Sequence, residues 1–559
     1  MKRTSIVLLI AAMLATVSAS AQNGGYMFGG LLVDRERIAP TDVFSLSQTN
    51  TNFGTARSMA MAGAFTSLGA DLSSMTINPA GLGMYRRSEV SFTPMMGFER
   101  SSNSAEANLS NKKNRFSVAS LGFVIKAYEG TGDLLAVNIG FGYNRIADFN
   151  YQYSFAQGGN GSTLGGVMAR QLQTSAGGIH INDNNRIADS YGNTDFGLST
   201  ELWGGVLGYK CGLLGMRGGE WTLDEYPIPF TTDQFTTVES KGSVGEYTLS
   251  VGMNIRNKFY VGASLGIQSI RQKRWITYGE NIYPDSEVDP AMQPYMLEWF
   301  DYAQATEISG TGVNFKLGVT WRPTDALRLG FAIHTPTYYS LNFSYAAGMD
   351  SASRSIGDNP GGYEVVDGYV YGGQATPQFD DNGPDSWEFV SPTRMLFGAS
   401  YTFGSFAVVS VDYERDWYNG IRMKNMPAGF SRDYYNDFFR NALKGSNTVR
   451  IGAEIKPTAR LALRAGYGYN GSMLRESEDN YLLYTTPVVY RTDFYTAGIG
   501  FAISPSVTLD AAYQYVDSRM TDYRLFFADN GNAAQSDYSG LFSTSLCRHN
   551  VALTLSVKF

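Results

Sequence analysis

Val551-Ala552-Leu553-Thr554-Leu555-Ser556-Val557-Lys558-Phe559 closes the chain. Apolar residues take every odd position and small or polar residues every even one. Period-two alternation of this kind puts one set on each face of a strand. The pattern recurs about fourteen times, near 88–98, 115–127, 134–154, 243–256, 258–274, 307–322, 326–346, 391–404, 405–418, 446–457, 459–473, 490–504, 506–525 and 545–559. The connectors alternate in length. Short ones such as Arg256-Asn257, Arg322-Pro323-Thr324-Asp325 and Gly404-Ser405 are interleaved with long ones at 99–114, 155–242, 275–306, 347–390, 419–445, 474–489 and 526–544.

One face of the predicted strands is apolar, as in Phe259, Val261, Leu265 and Ile267. The other carries charge: Lys316, Arg328, Arg394, Asp412, Glu414, Arg450, Glu454, Arg464 and Asp510. A wall with charge inside and hydrocarbon outside has lipid as its outer solvent. No later stretch approaches the ~18–20 uninterrupted apolar residues of a spanning helix. Only a closed barrel then satisfies the backbone across a bilayer. A mean hydropathy of −0.19 is compatible with this, because only alternate residues meet lipid. The 36 Tyr and 33 Phe fit aromatic girdles at the two interfaces. A large secreted β-protein is the alternative, but it has no reason to sort its loops by length. The expected fold is therefore all-β, a 14-stranded antiparallel transmembrane β-barrel over 88–559. Its short turns are periplasmic, its long loops external, and its even strand count puts both termini in the periplasm. A terminal strand ending on Phe resembles the C-terminal signature of bacterial outer-membrane barrels. That resemblance implies a Gram-negative outer membrane, contact with its lipid and lipopolysaccharide, and the barrel assembly machinery as a partner.

Residues 1–21 read as a signal peptide, with Lys2 and Arg3, an apolar run from Ile6 to Ala15, and Ala19-Ser20-Ala21 before the cut. The formal charge of −7 gives no footprint for nucleic acid. Cys211 and Cys547 are permitted to pair in an oxidising compartment, but spacing does not establish proximity. His180, His334 and His549 show no metal-ligand spacing, and none lies near a recognisable nucleophile motif. The expectation is no enzyme, no cofactor and no metal. Charges of both signs inside the wall are expected to pair across strands. Lys316, Arg328, Arg394 and Arg464 are also candidates to meet an anionic headgroup.

Residues 22–87 precede the first strand. A short helix is expected after Pro40-Thr41-Asp42. The run Gly54–Asp71 is crowded with Gly and Ala, which lets backbone pack closely on other surfaces. Then come a helical turn at Asp71–Met75 and the motif Asn78-Pro79-Ala80-Gly81. A unit of about 40 residues fits inside a medium barrel as a plug. This run and motif, just before strand one, resemble the N-terminal hatch of the FadL family, outer-membrane transporters of long-chain fatty acids and aromatic hydrocarbons. The resemblance implies a hatch at about 54–87, gating by Asn78, Pro79, Ala80 and Gly81, and a kink in strand three that opens a lateral gap. In strand three, Leu135, Val137, Ile139, Phe141 and Tyr143 share a face, and continued alternation would turn Arg145 to lipid. A bulge at Gly142–Asp148, involving Asn144, Arg145 and Asp148, removes that conflict. Snorkelling of Arg145 to the interface is the alternative.

The long connector 155–242 departs from that family. It carries apolar residues at helical spacing over Ser162–Thr174 and Ser199–Tyr209, predicting two short helices over the mouth. Taken together, these readings favour passive uptake of hydrophobic small molecules with lateral exit. A general porin for polar solutes and a haem or porphyrin receptor are the alternatives, with adhesion through the loops as an added role.

Overall fold

The computed structural model describes residues 27–33, 38–48, 54–103, 109–174, 203–224, 226–227, 229–285, 295–355, 363–372, 386–427, 430–475, 487–529 and 536–559. The predicted signal peptide lies outside them. Fourteen strands close into an antiparallel barrel. They are β1 (Glu89–Asn103), β2 (Ser110–Glu129), β3 (Leu134–Asp148), β4 (Phe230–Ile255), β5 (Phe259–Pro284), β6 (Tyr295–Trp321) and β7 (Leu327–His334, resuming as Tyr338–Ser355). The rest are β8 (Trp387–Val390 and Arg394–Phe403), β9 (Ala407–Trp417), β10 (Gly445–Ile455), β11 (Leu461–Asn470), β12 (Val489–Ser504), β13 (Val507–Met520) and β14 (Thr544–Lys558). Each predicted strand falls on one of these. The ring closes where β14 pairs β1, with Val90 opposite Val557.

The alternation is realised as a lipid face and a lumen face. Val551, Leu553, Leu555 and Val557 are exposed, whereas Ala552 and Thr554 are buried. The odd-out rule is reversed in β1, where Val90, Phe92, Met96 and Phe98 point outward. It switches within β2 at Ala119–Ser120, opposite a register shift at Thr93/Pro94. Phe259 and Trp321 stack near the short-turn rim, part of the aromatic girdle.

The ladder runs well past the membrane on one side. β4, β5 and β6 have 26, 26 and 27 residues, against about 9–11 for a bilayer crossing. A strand at Tyr151–Asn160 pairs the first half of β4. Both ends of the expected 155–242 loop are thus sheet. The alternation there is silent because the outward face meets water: Asp233, Glu239 and Lys241 take outward positions.

Two helices predicted in that loop are present as Leu164–Thr174 and Trp203–Lys210. With Arg432–Ala442 they help roof the mouth. The largest apolar cluster lies in this cap, around Phe155, Trp387, Tyr435, Phe439 and Phe526.

The N-terminal segment differs from expectation. Met27–Gly29 pairs Phe527–Asp529 in the long-loop connector between β13 and β14. The next helix, α1 (Pro40–Leu46), sits beneath the cap, where Tyr435 donates to the Ile38 carbonyl (2.5 Å) and Arg274 pairs Asp42 (2.9 Å). The chain then descends to 54–87 and enters β1 at the short-turn rim beside the C terminus. The first described residues are therefore at the outer rim, not the periplasmic one. The segment runs the depth of the lumen because its apolar residues, Leu31, Leu32, Ile38, Val43 and Phe44, are buried in the cap core.

Candidate functional site

Residues 54–87 fill the lower lumen. Helix α2 (Ala56–Ala60) starts on a Thr55 cap that accepts from the Ser58 amide. Helix α3 (Ser74–Ile77) leads through Asn78 into a 3-10 turn at Pro79–Met84. Met59, Ala60, Met61, Ala62 and Phe65 are fully buried.

Asn78 bonds two parts of this unit together. Its Oδ1 accepts from the Ala80 amide (3.1 Å), capping the turn, while its Nδ2 donates to the Thr66 carbonyl (2.6 Å). Pro79 fits the first position of such a turn, where an N–H would have no partner. Ala70 donates to the Gly81 carbonyl (3.0 Å), and a Cβ on Gly81 would strike Ser74. The motif thus ties three turns together.

The wall meets this unit with glycine. A Cβ at Gly252 would strike Leu82-Gly83, at Gly262 Pro79, and at Gly318 Asn78. Gly330 and Gly398 approach Thr66, Gly452 Met61, Gly466 Ala62 and Gly498 Ala60. Eight strands therefore present bare backbone to the plug. All eight glycines are even-numbered, on the lumen parity, a signal present in the sequence that the reading above did not use. Polar side chains add anchors. Asn138 donates to the carbonyls of Leu82 and Tyr85 (2.7 and 3.1 Å), Asp412 accepts from the Thr66 amide (2.7 Å), and His334 Nε2 meets the Ile77 carbonyl (2.9 Å).

Strand β3 is irregular where Arg145 stands. Its register against β4 shifts between Arg145 and Ala147. Its ladder with β2 ends one rung earlier, at Ser120 opposite Asn144. The outer half of β2 continues to Ser110, paired with β1. Beyond Asp148 the chain turns into the lumen. Arg548 and Ser101, both on the lumen face, donate to the carbonyls of Asn150 and Gln152 (3.3 and 2.6 Å). Gly142 packs on Met75 of α3, and Asn144 faces inward, buried.

The inturned stretch separates two spaces. One, of about 90 Å3, is polar and lined by Arg145, Glu246, Lys316, His334, Arg394 and Glu414 among others. The other, of about 130 Å3, borders Ala147–Phe149 and has an apolar wall of Met473, Val489, Phe494, Val516, Met520 and Leu546. Helix α1 and the residues after it reach both, through Ser47 on one side and Ser45 and Gln48 on the other.

Of the four basic lumen candidates, three are paired. Lys316 bonds Glu246, Arg394 pairs Asp416 (3.2 Å), and Arg464 bridges Glu454 and Asp510 (both 2.6 Å). Among the described residues Arg328 makes no ion pair, and it lies low in the lumen near Arg57 and Arg86. Cys211, buried in the cap, and Cys547, on β14, do not form a disulfide with each other. Among the described residues no group of three or more His, Cys, Asp or Glu is placed to hold a metal.

A closed, plugged barrel with a lipid-facing girdle is an outer-membrane transport protein in architecture. The family model described as outer membrane protein transport protein (OMPP1/FadL/TodX) matches residues 230–545, and the chain belongs to that family. It resides in the outer membrane. Similar solved structures include the toluene transporter TodX of Pseudomonas putida, with 13% identity, 91% and 99% of the two chains covered, and a TM-score of 0.46. A FadL homologue of Pseudomonas aeruginosa gives 11%, 90% and 98%, with 0.48. The toluene transporter TbuX of Ralstonia pickettii gives 16%, 92% and 100%, with 0.42. No curated protein matches the chain.

Proposed function

We propose that this protein carries hydrophobic small molecules, such as long-chain fatty acids or aromatic compounds, passively across the outer membrane and releases them sideways into it. One observation carries the reading: the way down is filled by the 54–87 plug, whereas the wall beside it loses its β2–β3 ladder at Ser120/Asn144. An apolar solute gains by leaving into lipid rather than water, since apolar surface in water is unfavourable at roughly 25 cal/mol per Å2. The ligand enters from the lipopolysaccharide side through the cap, rests against the apolar wall by Phe149, and exits where β3 turns inward. Movement of Asn78–Gly81 gates the passage. No covalent chemistry is part of this reading, and scarce histidine does not favour haem.

The test uses purified protein in bilayers and liposomes. Saturable movement of an aromatic or fatty-acid probe with little ion conductance is the expected result. A large steady conductance without preference for apolar probes would mean a porin.

A further inference from the structure

The outward face of the long ladder changes character at one height. From the short-turn rim, Phe259–Ser269 of β5 has the length of one tilted bilayer crossing, about 9–11 residues. Its outward side chains Leu265 and Ile267 are apolar and exposed, as are their register partners Phe315 and Val313 on β6. The next outward positions carry charge. Arg271 and Lys273 of β5 stand beside Lys241 of β4 and Glu307 of β6. That height is the headgroup layer on the long-loop side, which belongs to the outer leaflet.

Lys241 and Lys273 are register partners on this face. Side chains directly opposite have Cβ atoms about 4.5–5.5 Å apart, and like charges so placed repel. The nearby carboxylates flank the pair rather than separate it. Glu239, the next outward position along β4, accepts from Lys241 and from Lys113 of β2 (both 3.0 Å). Glu307, on the far side of Lys273, accepts from Lys273 (2.6 Å) and Arg271 (3.0 Å). Four cations thus share two carboxylates. The Arg271 and Lys241 side chains remain 67% and 53% exposed. Ion pairs this open to solvent are weak and leave the cations available to a stronger anion.

The surroundings suit a lipid that carries phosphate on sugar. A phosphate monoester has a charge of about −1.5 to −2 and three acceptor oxygens, so it relieves the Lys241–Lys273 repulsion by standing between them. Lys241 also lies over the Trp275 ring, 5.0 Å from its centroid, which sets an aromatic face at headgroup depth. Toward the membrane, Ser243, Ser269, Ser309 and Thr311 form a hydroxyl floor before the apolar band begins.

We propose that this outer face of β4, β5 and β6 is a docking site for lipid A, the phosphorylated glycolipid anchor of lipopolysaccharide. Lys241, Lys273 and Arg271 hold its phosphate, Trp275 meets its sugar, and its acyl chains run down past Ile267 and Val313. The site is on the outside of the wall and is independent of the transport path.

The experiment titrates the purified full chain in detergent with diphosphoryl lipid A, the same lipid A stripped of phosphate, and phosphatidylglycerol, with binding read by native mass spectrometry. Wild type should bind diphosphoryl lipid A most tightly. Lys241→Gln with Lys273→Gln should weaken it by about 30-fold, the scale of two basic side chains at an anionic lipid surface, and leave the stripped lipid unchanged. Lys241→Arg with Lys273→Arg keeps the charge and should retain binding. Glu239→Gln with Glu307→Gln removes the competing carboxylates and should tighten it. Arg415→Gln, on the outward face of β9, should change nothing. Heat-modifiable gel mobility confirms that each variant is a folded barrel. Equal affinity for phosphorylated and stripped lipid A, unchanged affinity in the glutamine pair, or the same loss in Arg415→Gln would overturn the site. Phosphatidylglycerol binding as tightly as lipid A would overturn the glycolipid assignment and mean a general patch for anionic lipid.

Discussion

Replacing Gly262 with alanine should act on the plug and the wall in opposite directions. The added methyl would point into the Pro79 carbonyl and the Ala80 amide, both backbone. Neither is the free end of a flexible side chain, so the turn itself must move. Overpacking of this kind costs about 1–3 kcal/mol. The strand loses nothing, since alanine is better than glycine inside a strand by roughly 0.5–1 kcal/mol. Adding Gly318→Ala drives a second methyl onto Asn78 Oδ1. Displacing Asn78 strands the Thr66 carbonyl and the Ala80 amide, buried partners it now satisfies. An orphaned buried group costs about 1–3 kcal/mol. Summed, the two losses come to roughly 2–6 kcal/mol of plug docking, and because both changes touch one turn the measured value should depart from that sum. The assay is amide hydrogen exchange in detergent or lipid, read peptide by peptide, with single-channel conductance beside it. Amides within 54–87 should exchange faster by about 30-fold or more, with the ladder of β5 and β6 unchanged and conductance raised. Unchanged protection across 54–87 in the double variant would refute the account of lumen glycines as the seat of the plug.

Three further outcomes follow from the same geometry. Asn78→Ala with Pro79→Ala should lower ligand uptake while heat-modifiable mobility stays that of a folded barrel; normal uptake would remove Asn78 from gating. Phe28 and Ala528 are register partners at the outer rim, so Phe28→Cys with Ala528→Cys, without the native cysteines, should pin the N-terminal strand to the cap when oxidised; if ligand entry needs that strand to yield, uptake falls and recovers on reduction, and unchanged uptake means the strand is fixed in transport. Asp42→Asn leaves Arg274 buried without its ion partner, a loss of about 3–5 kcal/mol for a buried pair, and should raise exchange in α1 without altering the barrel ladder; equal exchange would show that apolar contacts alone hold the helix.

The fourteen strands were legible because each crossing has lipid on one side. Val551, Leu553, Leu555 and Val557 declare their face by period two alone, and the alternation of short turns with long loops orders the two rims. Composition pointed to a compact unit able to pack closely, the Gly/Ala run at 54–71, and the resemblance of that run with Asn78-Pro79-Ala80 to a FadL-family hatch placed it in the lumen. Other features needed the folded chain. In Phe230–Lys241 the outward face meets water and the inward face meets the cap, so the period-two signal fades although the ladder continues. The parity switch inside β2 accompanies the register shift at Thr93/Pro94, which depends on both strands at once. Gly262 and Gly318 look like ordinary strand glycines until Pro79 and Asn78 are brought against them. Arg145 announced a conflict by itself, but its resolution, a register shift against β4 and a β2 ladder that ends one rung earlier, exists only where the three strands are assembled. Alternation reports the solvent each residue faces, a local property of one strand. Which residues meet across the lumen depends on register, closure and the path of the N-terminal segment, and those belong to the whole barrel.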